Sequence, residues 1–197
     1  MILYGASGHA KVIIDILLKN NIKISSVIDD NVKLIDVLNY PIKQFKNTII
    51  NEELIISIGN NSIRKSIAKK LDTNNFGTAI HTKAIIDKTS FINKGTVIMA
   101  NTVINSSVNI GKHCIINTNS VIEHDCEIND FAHISPSATL CGNVTIGEGT
   151  HVGAGATIIP NIKIGKWCTI GAGSIVIKDI PDNTKVVGNP ARIIKQK

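Results

Sequence analysis

Between Ile110 and Ile134 the chain reads IGKHCIINTNSVIEHDCEINDFAHI, with an aliphatic residue at every sixth position: Ile110, Ile116, Ile122, Ile128 and Ile134. The same spacing runs back through Ile104, Ile98, Ile92 and Ile86 to Ile80, and forward through Leu140, Ile146, Val152, Ile158, Ile164 and Ile170 to Val176. Four residues after most of these stands a small or β-branched residue, such as Ala84, Ser90, Thr96, Ser120 or Ala138. A period of six fits neither the 3.6-residue turn nor the heptad. It fits a short strand plus a corner, so that three hexads close one triangular coil of a parallel β-helix. Residues 80–181 hold between five and six such coils, a prism roughly 25–30 Å tall at the usual strand spacing. The aliphatic residue fills the coil and the small one fits beside the corner.

Composition agrees with this architecture. Only 4% of the 197 residues are aromatic against 43% hydrophobic, so burial must come from aliphatic side chains. The net charge of +6 is spread over both halves of the chain, without a basic run or interleaved aromatics, which argues against nucleic-acid binding. A mild excess of lysine suits an anionic small molecule. Cys114, Cys126 and Cys168 fall in the small-residue slot, as fillers rather than a disulfide framework, and Cys141 falls one residue past an aliphatic slot, outside the coil. No apolar run approaches membrane-spanning length and no signal-like segment opens the chain, so a cytoplasmic protein is expected.

Ahead of the ladder, Ile2 to Tyr4 reads as a buried strand that stops at Gly5-Ala6-Ser7-Gly8-His9, and an apolar helix follows to about Asn20. Strand, glycine-rich turn and helix start make an anion site, although Ser7 and Ala10 replace two glycines of the dinucleotide fingerprint. A second strand, about Ile24 to Ile28, ends in Asp29-Asp30, placed either to bind a ribose or base or as a solvated turn. A third, Leu54 to Ile58, runs into Gly59-Asn60-Asn61-Ser62 and a helix from Ile63 to Leu71, with Arg64, Lys65, Lys69 and Lys70 on its polar side. Residues 31–52 carry little periodicity. The three strand ends fall on one edge, where open α/β sheets bind ligands. From Phe76 to Ile80 the chain crosses into the ladder, and after Pro181 a polar segment leads to Gly188-Asn189-Pro190-Ala191-Arg192 and a basic tail, read as an arm toward a ligand phosphate or as a disordered end.

Steps of eighteen give the stacked neighbours. His133 falls beside His151, Gly142 beside His124, and Ala154 beside Ala172, the last pair within Gly-Ala-Gly triplets that leave a trough for a thin ligand arm. His124 lies between Glu123 and Asp125, and a nearby carboxylate makes an imidazole a better proton acceptor. The alternative is a surface histidine without consequence. A zinc site like that of trimeric β-helix carbonic anhydrases needs three converging ligands. Two coils beyond His81 stands Asn117, and five residues further Ile122, so no metal is expected.

The chain resembles the bacterial hexapeptide-repeat acyltransferases that acetylate nucleotide-linked amino sugars, including the UDP-bacillosamine-type N-acetyltransferases, with the sialic acid O-acetyltransferases as close relatives. The resemblance rests on Tyr4-Gly5-Ala6-Ser7-Gly8-His9, Asp29-Asp30, Ile58-Gly59-Asn60-Asn61 with Ile63-Arg64-Lys65, Asn117-Thr118, Ser120 through His124, His133, Gly142-Asn143-Val144 and Gly188-Asn189-Pro190-Ala191. It implies a Rossmann-like domain over residues 1–78, which holds the nucleotide sugar, and a left-handed β-helix over 79–197, which trimerises and binds acetyl-CoA between subunits. By position, Ser7, Gly8, His9, Asp29, Asp30, Gly59 and Ser62 contact the nucleotide sugar. His124 is the general base with Asp125 behind it, and His133, Gly142, Ala154 and Ala172 line the acetyl-CoA groove. Asp125 stands where some members carry Glu, and Ser62 where others carry a longer acidic residue. The reaction implied is direct N-acetylation of a UDP-linked 4-amino-4,6-dideoxy sugar. Sugar O-acetylation and a non-catalytic sugar-nucleotide scaffold are the alternatives.

Overall fold

A computed structural model of the chain describes residues 1–31, 33–45, 52–71, 73 and 75–196. From Ala79–Ile80 to Ile175–Val176 every hexad forms one two-residue strand, and each pairs in parallel with the strand eighteen residues away, as in Ile116↔Ile134 and Ile134↔Val152. The strands stack into three sheets, the walls of a parallel β-helix. Ladder residues from Ile98 to Val176 are essentially inaccessible, whereas Ile80, Ile86 and Ile92 in the first coil are only partly buried, having no coil beneath them. Cys114, Cys126 and Cys168 are buried and Cys141 is half-buried. Small hydroxyl residues in the second slot satisfy the corners. Thr96 Oγ1 donates to Gly111 O at 2.8 Å and accepts from Cys114 N at 3.0 Å, and Thr150 repeats both bonds three coils on.

From Gly95 to Gly173 each corner turns through one residue in the left-handed region, three positions after the ladder residue. Asn101, Asn119, Asp125 and Asn143 suit this conformation, but His113 (φ 55°), Phe131 (φ 60°) and Trp167 (φ 55°) adopt it as well. Backbone pairing of the stacked coils holds them there, for example Phe131 N to Lys112 O at 2.8 Å. Past the last coil, Thr184–Val187 adds in parallel beside Thr169–Ile170, and Arg192–Gln196 returns antiparallel to it. The tail is therefore an ordered strand rather than a disordered end, and it pairs a sheet edge that would otherwise present free amides and carbonyls.

Ahead of the coils, β1 (Ile2–Tyr4) sits between β2 (Ser26–Ile28) and β5 (Leu54–Ile56), parallel to both. A short hairpin, β3 (Asp36–Val37) and β4 (Tyr40–Lys43), extends the sheet beyond β2 within the segment that lacked a sequence pattern. Within that segment, 32 and 46–51 lie outside the described residues. Helix α1 (Gly8–Lys19) starts directly at the glycine turn, and α2 (Asn61–Lys70) starts two residues before the expected Ile63, because Asn60 caps it by accepting from Ile63 N at 3.0 Å. Leu3, Ile13, Ile16, Val27 and Ile55 share one core with Ala79, Val97, Met99 and Ile115. The N-terminal sheet is thus cemented to one wall of the prism. No helix among the described residues is long and apolar enough to cross a membrane.

Candidate active site

The parallel order of β2, β1 and β5 brings Gly5–His9, Asp29-Asp30 and Gly59–Ser62 to one edge of the sheet. Gly5 is required for the turn, since it holds φ 112° and a Cβ there would meet Ile58 at 2.6 Å. Ser7 caps α1 by position only and makes no side-chain capping bond, and Ser7 and Gly8 are exposed at the helix start. The two aspartates differ from a freely offered pair. Asp29 accepts from Ala6 N and Asn31 N, both at 2.8 Å, which braces the glycine turn. Asp30 accepts from Tyr4 Oη at 2.9 Å and from Lys70 Nζ at 3.1 Å. Burial and then the Asp30 hydrogen bond push the Tyr4 phenol up, so it remains a donor. Ser62 Oγ donates to Asn60 Oδ1 at 2.8 Å.

The Gly59–Ser62 loop faces one wall of the β-helix across a cleft of about 490 Å³, lined also by His133, His151 and Trp167. His133 and His151 stack with ring centroids 4.8 Å apart and planes 1° apart. Asn117 Nδ2 lies 3.1 Å from His133 Nε2, and Ser135 Oγ lies 2.7 Å from His151 Nε2. Burial foremost, then the neighbouring His151 and Arg64, holds His133 down at about 3, with a backbone hydrogen bond to Gly59 acting the other way. Burial and then Arg64 lower His9 to about 4, and its Nε2 has no hydrogen-bond partner among the described residues. These rings are neutral at pH 7, and of them His133 and His151 line the cleft, without cationic charge. Trp167 was not anticipated as a wall of this cleft. Its ring lies flat on Gly149, where a Cβ would meet it at 2.5 Å, and adding eighteen to Gly149 would have found it. Asn61 donates from Nδ2 to Gly149 O at 3.0 Å, a contact 88 residues away that the loop motif does not signal.

His124 occupies a different place. It follows the strand Val121–Ile122 of one sheet and precedes Glu127–Ile128 of the second, whereas His133–Ile134 belongs to the third. Its Nδ1 lies 2.7 Å from Asp125 Oδ2, and both side chains are 59% exposed. With the carboxylate accepting the Nδ1 proton, Nε2 is left as a free proton acceptor. Gly142 lies beside the ring one coil along. Ala154 and Ala172 share the corner after the His133 sheet, both exposed, and Gly173 N donates to Ala154 O at 2.8 Å. Gly153 there admits no side chain, since a Cβ would sit 2.6 Å from Ala172 N. The resulting surface is narrow and open, suited to a thin ligand arm. One chain therefore joins His133 to the Gly59 loop, but holds His124 and Asp125 on a separate edge.

Two family profiles match the chain: "PglD N-terminal domain" over residues 1–71, and "bacterial transferase hexapeptide (six repeats)" over 125–160 and 143–178. Among solved structures, the perosamine N-acetyltransferase of Caulobacter crescentus, in complex with CoA and GDP-perosamine, is 30% identical with a TM-score of 0.93 over 99% of this chain and 96% of that one. The acetyltransferase domain of PglB from Neisseria gonorrhoeae is 30% identical with a TM-score of 0.91 over 98% of both chains. WeeI from Acinetobacter baumannii is 27% identical with a TM-score of 0.87, again over 98% of both. With these matches along its whole length, the chain belongs to the hexapeptide-repeat acetyltransferases that carry a PglD N-terminal domain and use acetyl-CoA as acetyl donor.

Proposed function

We propose that the protein N-acetylates the amine of a nucleotide-linked 4-amino-4,6-dideoxy sugar by direct transfer from acetyl-CoA. The relative solved with CoA and GDP-perosamine supports a nucleotide-linked acceptor, and the resemblance to the UDP-bacillosamine-type enzymes implies UDP as its nucleotide. Residues 1–78 act as a Rossmann-like acceptor domain, with Ser7, Gly8, His9, Asp29, Asp30, Gly59 and Ser62 around the nucleotide sugar. Residues 79–197 act as a left-handed β-helix whose His133, Gly142, Ala154 and Ala172 flank the acetyl donor. Both substrates are cytoplasmic metabolites, which supports a cytoplasmic location.

The observation that carries the mechanism is the 2.7 Å contact between His124 Nδ1 and Asp125 Oδ2. Asp125 fixes the tautomer and stabilises the imidazolium, and His124 Nε2 takes the proton as the sugar amine attacks the thioester carbonyl. Coenzyme A then leaves as the thiolate, with neutral donors around His133 meeting the developing oxyanion. The thiols are poor nucleophiles, since burial raises all four, Cys114 to about 12 and Cys126 to about 11, with Cys141 and Cys168 shifted the same way. Because His124 and the Gly59 cleft stand on separate edges of one chain, one protomer's base serves its neighbour's acceptor, in the homotrimer that the family resemblance implies. Ile85 and Phe91, 66% and 60% exposed on the first coils, are apolar surface that such an assembly would cover.

The test is a mass-spectrometric screen of acetyl-CoA with UDP-, GDP- and dTDP-linked amino sugars. An acetylated product stable to hydroxylamine, formed from one of them, is expected. A hydroxylamine-labile product marks an ester and replaces this reading with O-acetylation, and no product from any of them removes it.

A further inference from the structure

Arg64 is 1% exposed in a helix whose other cationic side chains reach solvent, and it pairs with no carboxylate among the described residues. Its guanidinium uses all five donors on neutral oxygens. Nε donates to His113 O at 2.8 Å, Nη1 to Ile58 O at 3.0 Å and Gly59 O at 3.1 Å, and Nη2 to Asn61 Oδ1 at 2.8 Å and Phe131 O at 2.9 Å. Three of these acceptors belong to the Gly59 loop and the start of α2. The other two are corner carbonyls of the β-helix, one coil apart, and Phe131 stands two residues before His133.

We infer that Arg64 is a positioning residue that holds the acceptor loop Gly59–Ser62 at a set distance from the His133 wall. Burying a cation without a counter-ion costs more than an apolar residue would at the same place, and the cost is offset only by a complete set of acceptors. Burial lowers its pKa only to about 10, so the charge is present at pH 7. A planar fork can bind one loop and two coils at once, whereas a lysine ammonium has three donors and no fixed plane. Cross-links from either side reinforce the clamp. Asn61 reaches Gly149 O at 3.0 Å, and Lys65 pairs with Glu148 while lying 5.1 Å over the Trp167 ring. Arg64 itself does not line the cleft, so it acts through the residues it holds.

This inference rests on the Gly59 loop being the acceptor site, and the test separates the two. Steady-state kinetics of the full-length protein are measured with acetyl-CoA and the nucleotide amino sugar it accepts, for wild type, Arg64→Lys and Asn61→Ala. Arg64→Lys is expected to raise the acceptor KM and lower kcat, each by about tenfold or more, while the acetyl-CoA Kd stays within about twofold. Asn61→Ala, which removes one of the five bonds, is expected to shift acceptor KM in the same direction by less and to remain folded. A purely structural Arg64 would lower the melting temperature yet leave both constants unchanged per folded molecule, and that result in either variant overturns the inference. If the wild type acetylates no nucleotide sugar, the acceptor assignment and this inference both fall. If it does and either variant keeps both constants, only the inference falls.

Discussion

Gly142 stands one coil from His124, and a Cβ at Gly142 would come within 2.7 Å of Cε1 and Nε2 of the imidazole. Glycine there leaves the ring room to hold its contact with Asp125. Gly142→Ala is therefore expected to push the ring off that carboxylate and lower kcat by about tenfold or more, with melting temperature changed by no more than a few degrees. Measuring kcat beside a thermal melt checks this, and an unchanged kcat would show that the ring has slack.

The coil interior makes a harsher demand. Ile134 is inaccessible and paired between Ile116 and Val152. Ile134→Asp places a carboxylate in a dry space without a partner, at a cost of several kcal/mol. The variant is expected to yield no soluble folded protein on expression. Recovery of a cooperatively melting protein would contradict the ladder.

The N-terminal part and the β-helix meet over rings that are stable only when neutral. His113 is 4% exposed, T-shaped against Phe76 and stacked on Phe131, and burial and then Arg64 lower it to about 4. His9 at about 4 and His133 at about 3 behave alike. Their folded values lie below the unfolded value of about 6.5, so the unfolded chain binds more protons across that interval. Their contribution is complete above about pH 6.5 and is lost progressively as pH falls toward 4, by up to ~1.4 kcal/mol per pH unit for each ring. The melting temperature is expected to fall between pH 7 and pH 5. His113→Phe, which keeps the ring packing at a corner conformation Phe131 also adopts, is expected to flatten that slope. An unaltered slope would remove His113 as a contributor.

How much of this could be read beforehand follows from where each constraint lies. The ladder was legible because each coil repeats one local requirement, an aliphatic residue inside and a small one at the corner. The register followed, and with it the His133–His151 and Gly142–His124 neighbours. The hairpin at 36–43 was not legible, because strands of two and four residues leave too short an alternation. Arg64 was read among the polar residues of its helix, since one side chain's spacing cannot reveal the His113 and Phe131 carbonyls that meet it from 49 and 67 residues away. The aspartates were legible as a strand-end pair, but their present use by Ala6, Tyr4 and Lys70 depends on tertiary placement.

The most direct test of the mechanism is kcat of His124→Ala against wild type, with acetyl-CoA affinity measured on the same preparations. Removing a general base is expected to lower kcat by at least about a hundredfold while the acetyl-CoA Kd moves by less than about twofold. A mutant that turns over at the wild-type rate would contradict the assignment of His124 as the base.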